Sequence, residues 1–241
     1  KTINDKGSKG INRIWWNFMG EKSDAMVMRT KPLYADWVSL GDDRVRNIPS
    51  TVSIMQPPGT YTVSIQSGEI ISKKDLVVIK DPHSEGTIAD IKLQNELMQK
   101  IYSDLNSTAK YVNSIESVRR QLLDLKSMLS VSGKEEKLIS EVDSLENKFL
   151  ELEKKLLQLK ITGKGQDVVR YPKMIGEKLS YLAENVQISD FKPADSYYDV
   201  YQVLKKRLDQ VGDDYDTLIN TDLNQFIEKM NSMGINTIVL R

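Results

Sequence analysis

The chain has 241 residues, 39% of them hydrophobic, enough to bury one large core or two ordinary ones and too much for a disordered polypeptide. Its 34 basic residues balance 34 acidic ones, which removes any global electrostatic pull toward nucleic acid or an anionic membrane surface. The absence of cysteine excludes disulfides, thiolate zinc sites and cysteine nucleophiles, and no run approaches the roughly eighteen apolar residues of a membrane-spanning helix.

From the start, Lys1-Thr2-Ile3 reads as the tail of a strand entering the "DKGSKG" turn, which predicts that the chain is a fragment of a longer protein. Ile14, Trp16 and Phe18 alternate with Arg13, Trp15 and Asn17, the period-two pattern of a strand with one buried face. The stretch from Gly20 to Gln56 shows no sustained period of either kind, so it is expected to be a surface loop carrying contacts. Pro57-Pro58 cannot sit inside a central strand and mark the entry to Tyr61, Val63 and Ile65, whose alternation continues through "QSGE" into "IISKKDLVVIK" as a hairpin. About four or five strands result where an immunoglobulin-type sandwich has roughly seven. The N-terminal unit, residues 1–85, therefore reads as an immunoglobulin-like β-sandwich incomplete at its N-terminus, ending at the proline of "KDPHSEGT".

From Thr87 the period changes. Leu97, Ile101, Leu105, Val112, Ile115, Val118, Leu122 and Leu125 recur at three and four, an amphipathic stripe about forty residues long. "SVSGKEE" interrupts it. A second stripe runs from Leu138 through Phe149 to Leu159, a third carries Ile175, Leu179, Leu182 and Val186, and a fourth starts near "KPADS" and runs from Val200 to Phe226. Four such stripes joined by short loops predict an antiparallel four-helix bundle over 86–241, with the first pair as a hairpin ~50 Å long. The fold class is thus α+β. Heptad-like spacing also suits a coiled-coil dimer, but four helices in one chain satisfy one another more simply.

The polar residues offer little chemistry. His83 is the single histidine and follows Pro82 in the linker, so it reads as a loop residue. "TGKGQD", Thr162 to Asp167, lacks the four-residue glycine spacing of a phosphate loop and reads as a helix-ending turn. Asp42-Asp43 and Asp213-Asp214 with Asp216 lack calcium-loop spacing. A pair of glycosidase carboxylates is defined by separation in space, which a sequence does not display. The residues singled out as ligand or domain-interface contacts are Trp15, Tyr34, Trp37 and Arg29; the aromatics, with Tyr61, suit either sugar stacking or packing between the two units. By alternation Trp16 points inward and Trp15 outward, so Trp15 is expected to meet the helices. No catalytic residue, metal or cofactor is expected.

Seven ordered blocks cover nearly the whole chain: "GINRIWWNF", "MRTKPLYADWVSLG", "PPGTYTV", "KDPHSEGTIADI", "ITGKGQDVVRYP", "KLSYLAENV" and "LNQFIEKMNSMGI". Together they resemble the C-terminal region of bacterial sortilin-like, Asp-box (BNR-repeat) β-propeller proteins, often described as glycosyl hydrolases. Asn17 and His83 depart from the residues usual in that family. No S-x-D-x-G-x-x-W repeat occurs in the chain. The resemblance therefore implies a non-catalytic accessory module of a secreted or periplasmic protein, its partner the N-terminal propeller of the same parent. A carbohydrate-binding module is the alternative it leaves, with a glycan or another protein as partner.

Overall fold

The computed structural model describes residues 1–35, 37–38, 49–131, 136–160, 162 and 166–235. It is a mixed α+β structure. Two antiparallel two-stranded ribbons, β1 (Met19–Lys22) with β2 (Ser53–Met55) and β3 (Gly59–Ser67) with β4 (Ile70–Val78), precede the helices. Among the described residues these ribbons do not assemble into the two layers of a sandwich.

The expected strand over Arg13–Phe18 is absent. Phe18 takes a left-handed φ of 59°, which turns the chain before pairing starts at Met19. The kink is held by the Trp16 indole N–H donating to the Met19 carbonyl (3.1 Å) and by the Met19 N–H donating to Asn17 Oδ1 (3.3 Å). The β3–β4 hairpin forms as its alternation predicts, in nine-residue register from Gly59↔Val78 to Ser67↔Ile70. Gly68, with φ 59°, supplies the left-handed residue of its two-residue turn.

Helix α1 (Ile88–Val131) spans ~66 Å at 1.5 Å per residue. It starts where Thr87 and Asp90 cap one another: the Thr87 N–H and hydroxyl donate to Asp90 Oδ2 (3.0 and 2.7 Å), and the Asp90 N–H donates to Thr87 Oγ1 (3.1 Å). Helix α2 (Glu136–Leu156) is half as long, so the helical hairpin is unequal rather than a matched ~50 Å pair. After the short α3 (Asp167–Arg170), α4 (Ile175–Val186) and α5 (Asp195–Thr217) also pack on α1. A π-helical segment, Leu218–Leu223, joins α5 to α6 (Asn224–Ser232) without a break, accounting for the single long fourth stripe.

One core runs through the molecule. Met26, Val52 and Ile54 from the strand region share it with Leu97, Ile101, Ile115, Phe149, Leu179 and Leu204 from the helices. The joint between the regions is short and fixed. A Cβ on Gly86 would lie 2.3 Å from the Asp190 carbonyl oxygen, so only glycine allows this close approach to the α4–α5 connection. The Gln94 side-chain amide then donates to the carbonyls of Val186 and Ser189. Because the ribbon β1–β2 has its apolar side chains in the helical core, residues 1–85 expressed alone are expected to show no cooperative melt. In the full chain, Ile54→Ala should lower urea stability by about 2–4 kcal/mol, a loss read directly from the shift of the unfolding midpoint.

Candidate functional site

The stretch after β1, expected to be a contact-bearing loop, lies extended along α1 over residues 23–30. An extended segment beside a helix has no strand to pair with, so its backbone groups need other partners. Side chains at one-turn and two-turn intervals on α1 supply them. The Tyr102 hydroxyl donates to the Lys22 carbonyl (3.1 Å), and the Asp24 N–H donates to Asn106 Oδ1 (2.9 Å). Asn113 takes the Val27 N–H on Oδ1 (2.7 Å) and gives its Nδ2 to the Ala25 carbonyl (2.9 Å). Glu116 Oε2 then accepts the N–H groups of Arg29 and Thr30, while Glu116 Oε1 accepts the Thr30 hydroxyl (2.7 Å). We call residues 23–30 the strap.

The strap ends on a buried charge cluster. Arg119 lies between α1 and α2 with three carboxylates around it: Glu116 Oε1 at 3.2 Å, Glu146 Oε1 at 2.8 Å and Glu153 Oε2 at 2.5 Å. Glu116 and Glu153 are fully shielded, and Arg119 is 3% exposed. Burial and the neighbouring Glu116 carboxylate push the Glu153 carboxyl up to about 8, against the pull of Arg119. Its Oε1 meets no donor among the described residues. Burial opposes the charge on Arg119, yet the three carboxylates hold its guanidinium above its ordinary value.

The four contact residues proposed from sequence fall in two places. Arg29 lies in the strap, its Nη1 donating to the carbonyls of Val27 (3.0 Å) and Asn113 (3.3 Å), so it is a contact between strand region and helix. Tyr34 and Trp37 follow the strap and stay exposed, with the Lys160 ammonium 5.3 Å from the Tyr34 ring and 4.6 Å from the Tyr171 ring. Trp15 is at the other end. It is 80% exposed, with the Arg13 guanidinium 5.8 Å from its ring, and does not meet the helices as the alternation suggested. Strand β1 begins beside Met55, which takes a hydrogen bond from Asn95, whereas Thr30 is held by Glu116. Those two levels of α1 are ~30 Å apart, so Trp15 and the Tyr34–Trp37 pair do not form one platform.

A second exposed feature is the hairpin. Tyr61, Val63, Ile65, Ile70 and Leu76 occupy one face of β3–β4 by register, and Val63, Ile65 and Ile70 are 41%, 61% and 75% exposed. At the hairpin's base Trp16 packs edge-on to Tyr61, with ring centroids 5.5 Å apart. A cavity of about 230 Å³ lies where that base meets α1, lined by Phe18, Pro57, Ile79, Ile91, Gln94 and Asn95.

His83 is exposed, with its backbone N–H on Asp81 Oδ1. Asp214 pairs with Lys155 across the α2–α5 surface (2.8 Å). Asp42-Asp43 and the centre of "TGKGQD" lie outside the described residues, although Thr162 donates its N–H and hydroxyl to the Asp167 carboxylate at the head of α3. Among the described residues no group of three or more His, Asp or Glu is placed to hold a metal ion, and no helix is long and apolar enough to cross a membrane. Comparison of the chain with family models, curated proteins and solved structures gives no match.

Sequence reading missed Glu116, Arg119 and Glu153 because charges at helical spacing are read as solvent-facing. Their positions inside otherwise apolar stripes, Glu116 and Arg119 between Ile115 and Leu122 and Glu153 between Leu152 and Leu156, were the available signal. Unfolded Glu153 ionises above about 4.5, while the folded chain keeps its proton up to about 8. Its contribution to stability is therefore complete below 4.5, declines as pH rises and is gone by about 8. Glu153→Gln should flatten that part of the stability-against-pH curve. Arg119→Ala, which leaves buried carboxylates uncompensated, should cost about 3–5 kcal/mol at neutral pH, measured by urea unfolding.

Proposed function

We propose that this chain is a non-catalytic interaction module, an accessory C-terminal part of a secreted or periplasmic Asp-box β-propeller protein. The observation that carries the interaction reading is the β3–β4 hairpin. It stands clear of the helices with its apolar face open, while the rest of the strand region is sewn to α1. Monomeric proteins rarely leave an apolar ribbon of this kind uncovered, and such surfaces serve association. The seven sequence blocks that resemble the propeller proteins support the choice of parent. In this reading the two ribbons, separate among the described residues, join further strands of the parent protein to complete an immunoglobulin-like sandwich, the helices form an antiparallel four-helix bundle, and the short joint at Gly86 holds the two in fixed relative placement.

A carbohydrate-binding role is the second reading, favoured by one observation: Tyr34 and Trp37 are exposed, and the Lys160 ammonium lies beside the Tyr34 ring, an arrangement of aromatic faces and a donor that suits a sugar ring. Trp15 is too far away to join it.

Three measurements test these readings. Asp-box repeats encoded immediately upstream of Lys1 are expected, and upstream sequence without them would remove the propeller parent. A hydrophobic dye should bind the chain, and Val63→Thr with Ile65→Thr should remove most of that signal while leaving the helical circular dichroism unchanged. Dye binding that survives those changes rules the hairpin out as the interaction surface. Tryptophan emission should not respond across a glycan panel; quenching that disappears in Trp37→Ala would make the sugar-binding reading the better one.

A further inference from the structure

The cluster beneath the end of the strap has three carboxylates and one guanidinium. With all three ionised it would hold a net charge of minus two, most of it shielded from water, a state that a protein interior does not tolerate. One carboxyl must therefore keep its proton. Among the described residues the two oxygens of Glu116 accept from the N–H groups of Arg29 and Thr30, the Thr30 hydroxyl and Arg119, and the Glu153 carboxyl lies against it. Glu146 reaches the surface at 12% exposure and takes Nε and Nη2 of Arg119 as a fork. Glu153 is fully shielded, and among the described residues only its Oε2 has a donor, so the geometry puts the proton on Glu153.

Among the described residues three elements enclose the cluster. Helix α1 contributes Glu116 and Arg119, and α2 contributes Glu146 and Glu153. The strap contributes Thr30, whose hydroxyl also lies 3.3 Å from Arg119 Nη1. The Arg29 guanidinium, the strap's own charge nearest the cluster, is turned to the carbonyls of Val27 and Asn113. Of the three elements the helices are locked in the main core, while the strap is an extended segment fixed by side-chain hydrogen bonds, by Met26 and Met28 on the core and, at its first residue, by the Ser23 N–H on the Val52 carbonyl (2.7 Å). It is the part that can lift at least cost.

We propose that residues 23–30 form a proton-gated clasp: the strap closes over α1 and α2 while Glu153 is neutral, and its opening is coupled to loss of that proton to water. Lifting Thr30 from Glu116 hydrates the cluster, Glu153 ionises, and the released proton passes to solvent. Opening is then favoured by rising pH between about 4.5, where the hydrated carboxyl ionises, and about 8, where the closed one does. The clasp controls whether Tyr34, which follows it, stays seated beside Lys160. Nothing in this inference depends on the propeller parent or on the hairpin as a docking surface.

The test is amide hydrogen exchange of the full chain, corrected for the intrinsic effect of pH, at pH 5.5, 6.5 and 7.5. In the unsubstituted protein the open fraction at Val27, Arg29 and Thr30 should rise by up to about tenfold per pH unit, and at each pH it should exceed that of core amides such as Ile115 in α1, which exchange only when the whole chain unfolds. In Glu153→Gln, which has no proton to lose, the strap amides should show no such slope. Equal slopes in the two proteins, or strap amides no more open than the core amides, would overturn the proposal. Should Glu153→Gln fail to fold, the carboxyl carbon resonance of Glu153 in the unsubstituted protein decides the matter. A protonated signal at pH 7 is expected, and an ionised one refutes the clasp.

Discussion

A backbone laid beside a helix instead of beside another strand must find its hydrogen bonds in side chains, and α1 is built to give them. Tyr102, Asn106, Asn113 and Glu116 stand along one flank and take the strap's groups in order from Lys22 to Thr30. Every other relation in the strand region depends on this seam. It brings Met26 into the helical core and sets the direction of β1, against which β2 pairs and delivers Val52 and Ile54 to the same core. Unsatisfied buried amides cost about 1–3 kcal/mol each, so a segment with this many would not stay down on apolar contacts alone.

The same seam explains why the hairpin is free. Strand β2 ends at Met55, and Gln56 donates its N–H to the Phe18 carbonyl. The two prolines that follow lack the donors needed to continue the pairing. The ribbon β3–β4 therefore leaves the helices and pairs with itself. Its nine-residue register is complete, and its stability comes from cross-strand contacts such as Thr62 with Asp75 (3.1 Å). Strand β4 carries Lys73, Lys74 and Asp75, whereas none of the nine residues of β3 is charged. The outer edge of β3 thus lacks the charged residues that ordinarily keep an exposed edge from pairing.

Most of the helical half was legible because it rests on one strong signal. Apolar residues at three and four mark α1, α2, α4 and α5 wherever a helix faces a core, and Leu97, Ile101, Val142 and Leu204 are buried as the stripes require. The β3–β4 hairpin was legible through its alternation and the turn at Gly68. The strand expected at Arg13–Phe18 was not formed because alternation reports a preference for two faces and says nothing of whether a second strand is available to pair. The strap was opaque for the complementary reason. Apart from Ser23, which bonds to Val52, its partners are 82 to 89 residues away, and its own side chains follow no period because its backbone makes most of the contacts. The charge cluster was hidden in full view, since Glu116, Arg119 and Glu153 at helical spacing look like any solvated face until a third element is laid over them.

Those buried polar residues also decide between the two uses that a long heptad-like stripe allows. A coiled-coil dimer would need the apolar flank of α1 to face a second copy, with polar interruptions matched across the interface. Instead, Asp104 receives the Tyr201 hydroxyl from α5 (2.9 Å) and lies 3.8 Å from the Lys205 ammonium. Tyr215 donates to Ser114 (2.7 Å), and Arg119 is spent on α2. Polar positions along α1, from its first third to beyond its middle, are therefore matched within the chain. The apolar positions between them, Leu105, Val112, Ile115 and Leu122, share the core with α2, α4 and α5. Little of the stripe remains for a second copy, and the length of α1 serves to carry the strap at one level, α2 at another and the joint with the strands at its start.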